Sequence, residues 1–323
     1  MTVGLLVNPA SGKESGKGLS LAHLLAGERR VELAVLDAFD ELEGALEDFA
    51  EAGVDTLFIS SGDGTVQAIQ TVLAERSPFK APPRLALLAH GTTNMTAADL
   101  GFSRRSLEAI ADAMVRPEVL RRATAVRRRA TLRAANPHGR PPQHGMFLGA
   151  GALWRGTLYC QTSVHKTGLK GDYYAPALTL ATALGKALFA KPDPTDETRI
   201  DRPYPMTVTA DGAACASGDQ LLFLATTLEK LVLGARPFWG GAGRGALRAT
   251  AIAYPPPSIL RYTLSIMYGG EERTLPEGCV SLSAKRIALD QATPFVIDGE
   301  FFEAPKDGPL IIEEGPEFEY LLG

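Results

Sequence analysis

Residues 55–67 read DTLFISSGDGTVQ, and the rest of the chain is organised around this stretch. The apolar run Leu57, Phe58, Ile59 stops at Ser60-Ser61-Gly62-Asp63-Gly64-Thr65, and a helix-compatible run from Val66 to Leu73 begins at once. A strand, a glycine turn and a helix start are predicted in direct succession. Gly62 and Gly64 permit backbone angles that other residues resist. Without Cβ atoms they also let main-chain N–H groups approach a phosphate at the helix N-terminus. Asp63, between them, offers a carboxylate to a metal or a hydroxyl, and Thr65 adds a hydroxyl. An isolated Gly-Asp-Gly is explained more simply as a βα turn closed by an Asx-type hydrogen bond.

Towards the N-terminus, Val3 to Val7 read as a buried strand broken by Asn8-Pro9-Ala10-Ser11-Gly12-Lys13, Gly18 to Ala26 as a helix, and Val31 to Leu36 as a second strand. Asp40 and Glu43 have capping-box spacing and are predicted to open a helix from Glu41 to Ala52, closed by Gly53. Beyond the central stretch, Arg84 to Ala89 reads as a strand running into His90-Gly91-Thr92-Thr93-Asn94. A short helix to Gly101 and a longer one from Arg104 to Val115 follow. Strands alternating with helices predict a parallel, doubly wound sheet. The loops after Val7, Ile59 and Ala89 then follow strand ends, where such sheets line their ligand crevice.

After Pro117 the pattern changes. Arg121 to Ala135 is arginine-rich and strand-like, and Asn136 to Gln143 is a turn. Gly and Pro then punctuate short β-like runs: Met146–Leu148, Met206–Thr209, Leu221–Thr226, Leu247–Ala253, Tyr262–Met267, Cys279–Ala284, Phe295–Ile297 and Leu310–Glu313. This spacing predicts an antiparallel sandwich, with the domain boundary near residue 125. A helix from Tyr174 to Lys191, apolar nearly all round, is suited to covering the sandwich or dipping into a bilayer interface. Pro237-Phe238-Trp239-Gly240-Gly241 reads as an ordered loop beside an apolar pocket.

Composition excludes several classes. A net charge of −4 gives no global footprint for nucleic acid, so no nucleic-acid partner is expected. Cys160, Cys215 and Cys279 are far apart, form no CxxC pair and fit a reducing compartment. His23, His90, His138, His144 and His165 lack metal-ligand spacing, and no zinc is expected. The start MTVGLLVNPASG has no charged n-region and reads as no signal peptide. No uninterrupted apolar run has membrane length, so work on a lipid is expected from the membrane surface.

NPASGK, SGDGT and HGTTN are each weak signals, but in this order, after strands of one α/β half, they point to a polyphosphate site. Together with the late Asp298-Gly299-Glu300, they resemble the diacylglycerol kinase-like lipid kinases, the family that also holds sphingosine and ceramide kinases. Its pattern is NPxSG, GGDGT, GTxN and a late DGE. The resemblance is sharp over about the first hundred residues and returns at Phe295 to Pro305. It implies a nucleotide-binding α/β domain like that of phosphofructokinases and NAD kinases at 1–125, and a lipid-binding β-sandwich at 126–305. It also implies an active site between them, with the last segment, about 306–323, packing near the first domain. The implied reaction moves the γ-phosphoryl of ATP to the primary hydroxyl of a membrane lipid. Diacylglycerol is the default acceptor and a ceramide or sphingoid base the alternative.

By matched position, Asn8, Ser11 and Gly12 would hold the nucleotide, Gly62 and Gly64 cradle its phosphates, and Thr65, Gly91, Thr92 and Asn94 line the pocket. Phosphoryl transfer needs alignment and charge neutralisation. Main-chain N–H groups, Lys13 and the Mg²⁺ carried by ATP would supply the latter, with Asp63 and Asp298 as the carboxylates that would meet the ion. The acceptor hydroxyl needs a carboxylate to take its proton. Glu300 is favoured as that base, and Asp63 as organiser of phosphate or magnesium. Ser61 replaces the first glycine of GGDGT, and Met95 stands where the family has an aspartate. A further family aspartate is absent from AVRRR at 125–129, so the structural magnesium of some bacterial members is not expected.

The cluster Arg104, Arg105, Arg116, Arg121, Arg122, Arg127, Arg128, Arg129 and Arg133 has three readings: attraction to an anionic membrane surface, one or two arginines reaching the ATP phosphates, or solvated charge. Alternation along 125–135 would put some of these arginines on one sheet face. A cytoplasmic protein, peripheral at the inner face of the membrane and capable of forming a homodimer, is the expectation. Two rivals stand beside it. A soluble NAD kinase shares the glycine turn, but NPASGK and the late DGE argue against it. A lipid-binding protein without catalysis is the other, weakened by the presence of both Asp63 and Glu300.

Overall fold

The computed structural model describes residues 2–12, 15–103, 106–116, 118–120, 125–161, 199–239, 245–256 and 259–323. The chain divides into two units, Met1–Thr131 with Gly315–Gly323, and Leu132–Glu314.

In the first unit β1 (Thr2–Val7), β2 (Val31–Val35), β3 (Val54–Ser61) and β4 (Arg84–Ala89) form a parallel sheet in the order β2-β1-β3-β4. The chain's last strand, Leu310–Leu322, sets Tyr320 in parallel beside Leu85. Strands β1 and β3 are continuous apolar runs because both of their faces are covered. Leu5, Leu6, Val7, Leu57 and Phe58 are all fully buried. On one face α1 (Ser15–Leu24) and α5 (Leu107–Val115) bring Leu21, Ile110 and Met114 onto Val3, Leu5 and Phe58. Helix α2 (Leu42–Glu51) covers the other face with Leu42, Leu46 and Phe49, an i, i+4, i+7 stripe. Gly4 faces that side, close to Leu57 and Phe49.

Two helix starts differ from the sequence expectation. A 3₁₀ turn, Phe39–Glu41, precedes α2, and no capping box forms. The Glu41 carboxylate instead accepts the Asp37 N–H at 3.0 Å, where the chain leaves β2. Helix α5 begins at Leu107 rather than Arg104, because the Ser106 hydroxyl accepts the Ala109 N–H and caps it.

The second unit is antiparallel. Its strands are β5 (Ala125–Ala134, entered from the first unit), β6 (Gln143–Gly145), β7 (Phe147–Gly151), β8 (Tyr204–Ala210), β9 (Ala213–Thr226), β10 (Leu247–Ala253), β11 (Cys279–Ala284), β12 (Arg286–Asp290), β13 (Phe295–Ile297), β14 (Glu300–Phe302) and β15 (Leu310–Leu322). The first half of β9 pairs with β8. Its second half pairs with both β7 and β10. From β8 the sheet continues to β12 and β15, and from β7 to β13 and β14. Both runs share one core, with Leu148, Phe223, Leu247, Ile287 and Phe295 at its centre. Among the described residues no helix is long and apolar enough to cross a membrane. The predicted helix Tyr174–Lys191 and the residues Gly240 and Gly241 lie outside the described residues.

The run Tyr262–Met267, read as a strand from its aromatic and β-branched content, is helical and belongs to helix Ile259–Tyr268. A short apolar run does not reveal its period. Here Tyr262 and Ile266, four residues apart, face the core. The helix end is tied down by Arg273. Its Nη1 donates to the carbonyls of Ser265 (2.7 Å), Ile266 (3.1 Å) and Gly269 (2.8 Å), and its Nη2 to those of Arg236 (2.7 Å) and Phe238. These include last-turn carbonyls that no helical N–H can reach. The guanidinium also lies 5.1 Å from the Trp239 ring centroid. Lysine has no fork to serve two loops at once. Arg273→Lys is therefore expected to lower stability by about 1–3 kcal/mol, read as a lower urea midpoint at unchanged m-value.

Candidate phosphate-binding site

In the order β2-β1-β3-β4 the winding reverses between β1 and β3, and ligands of open α/β sheets bind at the carboxyl ends of strands flanking such a reversal. The loops after β1, β3 and β4 meet there. A Cβ on Gly91 would lie 2.1 Å from the Gly62 Cα, and one on Gly12 would lie 2.9 Å from the Thr92 Oγ1. A Cβ on Gly62 would be 3.3 Å from the Ser11 carbonyl oxygen. Asn8, Ser11, Gly12, Gly62, Asp63, Gly64, Thr65, Gly91, Thr92 and Asn94 are thus brought together, whereas Lys13 lies outside the described residues. Gly62 and Gly91 act through space rather than angle. Gly62 caps α3 (Asp63–Glu75) at φ −95, Gly64 is helical, and within this group the left-handed backbone belongs to Gly12 (φ 139) and Asn94 (φ 50). The first N–H groups of α3, which starts at this meeting of loops, have no intrahelical acceptor.

Hydrogen bonds fix the loops. Asn8 Nδ2 donates to Thr65 Oγ1 (2.9 Å), tying the first loop to α3, and Asn8 Oδ1 accepts the Ala10 N–H (3.0 Å). The Ser11 hydroxyl donates to the Asn8 carbonyl (2.8 Å). Asn94 closes the third loop, accepting the Gly91 N–H (2.8 Å) and donating to the Gly91 carbonyl (2.7 Å).

Because Asn94 is spent on its own loop, helix α4 (Met95–Leu100) has no side-chain cap of its own. Asp63 fills that need from α3. Its oxygens accept the N–H groups of Met95 (2.8 Å) and Thr96 (2.9 Å). Asp63 is 9% exposed. Burial pushes its carboxyl above the usual carboxylate range, and the N–H groups of Thr96 and Met95 pull it back. Both oxygens of Asp63 are therefore engaged with main-chain N–H groups, each keeping a further lone pair.

Asp298 is engaged in the same way. Asp298 and Gly299 are the two-residue loop of the β13–β14 hairpin, at φ 49 and 91, the primed turn that Asp-Gly favours. The Asp298 oxygens accept the N–H groups of Met146 (2.8 Å) and Phe147 (3.0 Å). The same device recurs at Asp211-Gly212 (φ 47 and 85), where Asp211 accepts the Lys285 and Arg286 N–H groups. The repetition marks a structural role for the Asp-Gly pair. Only the glutamate that follows is distinctive, since Glu300 is exposed where Ala213 follows the other turn. Among the described residues, no three or more His, Cys, Asp or Glu side chains gather as a metal-binding group.

The arginines of β5 are engaged within the protein. Arg127 and Arg129 flank the buried Asp99 of α4 at 3.9 and 4.0 Å, Arg128 pairs with Glu319 at 2.9 Å, and Arg133 with Glu313 at 3.4 Å. Their alternation matches the strand period, with Arg127 and Arg129 turned to α4. Arg104, Arg105, Arg121 and Arg122 lie outside the described residues. Sequence reasoning missed Ser60 and Gly18. The Ser60 Oγ lies 2.8 Å from His90 Nδ1, buried where β3 and β4 end. A Cβ on Gly18 would fall 2.2 Å from that same Oγ. A polar residue closing an apolar strand was the available signal for Ser60, and a glycine inside a helix for Gly18.

A parallel α/β unit with glycine loops at its winding reversal is of the doubly wound class of architecture. Residues 2–125 match the family model of the diacylglycerol kinase catalytic domain, so the resemblance read from the motifs holds over that stretch. Three solved structures from Bacillus anthracis str. Sterne share the fold. One, described as a diacylglycerol kinase, has 19% identity and a TM-score of 0.62, covering 99% of this chain and 96% of its own. Two provisionally described as diacylglycerol kinases have 20% identity each. Their TM-scores are 0.66 and 0.64, covering 98% and 100% of this chain and 96% and 97% of theirs. A search of curated proteins gave no match.

Proposed function

We propose that this chain is an ATP-dependent lipid kinase that phosphorylates the primary hydroxyl of a membrane lipid, with diacylglycerol as the first acceptor to test. The observation that carries the reading is the meeting of three glycine loops at the β1/β3 winding reversal, inside the stretch that matches the kinase family model. Side-chain-free loops and the α3 N-terminus suit a triphosphate, and stabilising its charge in place is most of what phosphoryl transfer asks of a protein. Magnesium, which keeps waters and binds through substrate phosphates, would arrive with the nucleotide. The described carboxylates do not form a protein-only cage for it. Asp63 holds α4 and the third loop in register, and Glu300 takes the proton from the lipid hydroxyl. The antiparallel unit supplies the sandwich for the acyl chains.

The test is transfer of label from γ-labelled ATP to diacylglycerol, ceramide and sphingosine in parallel mixed micelles. Label entering one lipid names the acceptor. Lipid binding without transfer to any of them would replace this reading with the non-catalytic one, and NADP⁺ formed from NAD⁺ would replace it with a nucleotide kinase.

A further inference from the structure

We infer that the protein rests on a bilayer through an apolar platform made by the helix Ile259–Tyr268, here α7 after α6 (Ala152–Tyr159), and the turn at 231–236. The inference rests on the lipid-kinase reading and adds the surface that meets the membrane. Leu264 is 72% exposed, Leu233 62% and Tyr268 52%. Leu264 and Tyr268 are four residues apart and share one helix face. The Tyr268 hydroxyl donates to the Leu233 main-chain carbonyl at 3.5 Å, which ties the turn that carries Leu233 to the helix.

The platform is built, not frayed. The Arg236 N–H donates to the Met267 carbonyl at 2.7 Å, and Arg273 binds carbonyls of both segments from beneath. Leu233 sits at φ 59, ψ 20, a left-handed conformation that glycine or asparagine adopts at less strain. The fold holds a leucine there with its side chain in water, and such held strain points to function. Exposed Arg236 and Arg261 belong to the same two segments, Arg236 bonded to the helix through its main chain and Arg261 one turn before Leu264. Leucines flanked by tyrosine and arginine match the sequence of layers from acyl chain to headgroup. Exposed Glu271 and Glu272 follow the helix end, so apolar insertion outweighs anionic attraction. Three side chains fall far short of the roughly 800 Å² per partner of a stable protein interface, whereas a bilayer needs no matched surface. The β5 arginines are paired internally, which moves the membrane contact away from them.

The test is co-sedimentation of the full chain with phosphatidylcholine vesicles, with and without phosphatidylglycerol, in the absence of ATP. Wild type is expected to bind both, with a modest gain from phosphatidylglycerol. Leu233→Gln/Leu264→Gln is expected to lose about tenfold or more in partitioning, and Arg128→Gln to bind like wild type. Thermal unfolding checks the fold, and Leu264→Lys is a second probe that leaves the strained turn intact. Unchanged binding by the two platform variants would overturn the inference. So would a dimer in light scattering that the double variant converts to monomer, since a second copy would then cover the platform. Binding is read without turnover. A failed kinase assay with platform-dependent binding would therefore sink the enzyme reading and leave this surface standing.

Discussion

Gly91→Ala is expected to remove nearly all phosphotransfer and to lower stability by about 3 kcal/mol, whereas Gly62→Ala, only one loop away, is expected to be far milder. The difference is one of reach. The new methyl of Gly91→Ala would sit 2.1 Å from the Gly62 Cα and 2.7 Å from the Gly62 nitrogen, both main-chain atoms of another loop. Main chain cannot rotate aside as a side-chain tip does, so the loops after β3 and β4 must separate. The methyl of Gly62→Ala meets its nearest neighbours at 3.3 and 3.4 Å, a few tenths of an ångström from ordinary contact. Its φ of −95 is open to alanine. Separating the loops pulls on the Asn94–Gly91 bonds and through them on α4, so nucleotide binding should fall together with stability. Urea unfolding and ATP titration of the two variants check this. Equal effects would mean that the loops do not meet as the structure has them.

How far the sequence revealed this arrangement depended on whether the signal was local. The alternation of strand and helix in the first unit was legible because each element carries its own period, as in the Leu42, Leu46, Phe49 stripe. The glycine loops were legible because a glycine at a strand end is a local mark, though their contacts with one another were not. Gly91 is needed for the close approach of its loop to Gly62, far away in sequence, a fact that no single stretch contains. The engagement of Asp63 with α4 was hidden for the same reason. Its partners, Met95 and Thr96, are main-chain N–H groups, and main chain leaves no trace in residue identity. The run Tyr262–Met267 was misread because six residues with two core positions fit a strand as well as a helix.

Asp63→Asn and Glu300→Gln should both remove activity, but by different routes that stability measurements separate. In Asp63→Asn the new amide would present an NH₂ to one of two buried N–H donors, leaving that donor without an acceptor. The expected loss is about 2 kcal/mol, with activity falling as the third loop loosens. Glu300 is exposed on its hairpin, so an amide in its place should change stability by no more than about 0.5 kcal/mol, while the loss of a general base lowers turnover by about a hundredfold or more. The pH dependence provides a second check on Asp63. Its carboxyl is raised by burial, so between the free aspartate value of about 3.9 and the folded value the native state holds a proton that the unfolded chain has released. The stability this contributes is complete below about 3.9 and is lost as pH rises through the folded value. The stability advantage of wild type over Asp63→Asn should therefore narrow as pH is raised across that window and then level off. Full activity in Glu300→Gln, with Asp63→Asn inactive yet as stable as wild type at every pH, would make Asp63 the base and overturn the structural role assigned to it.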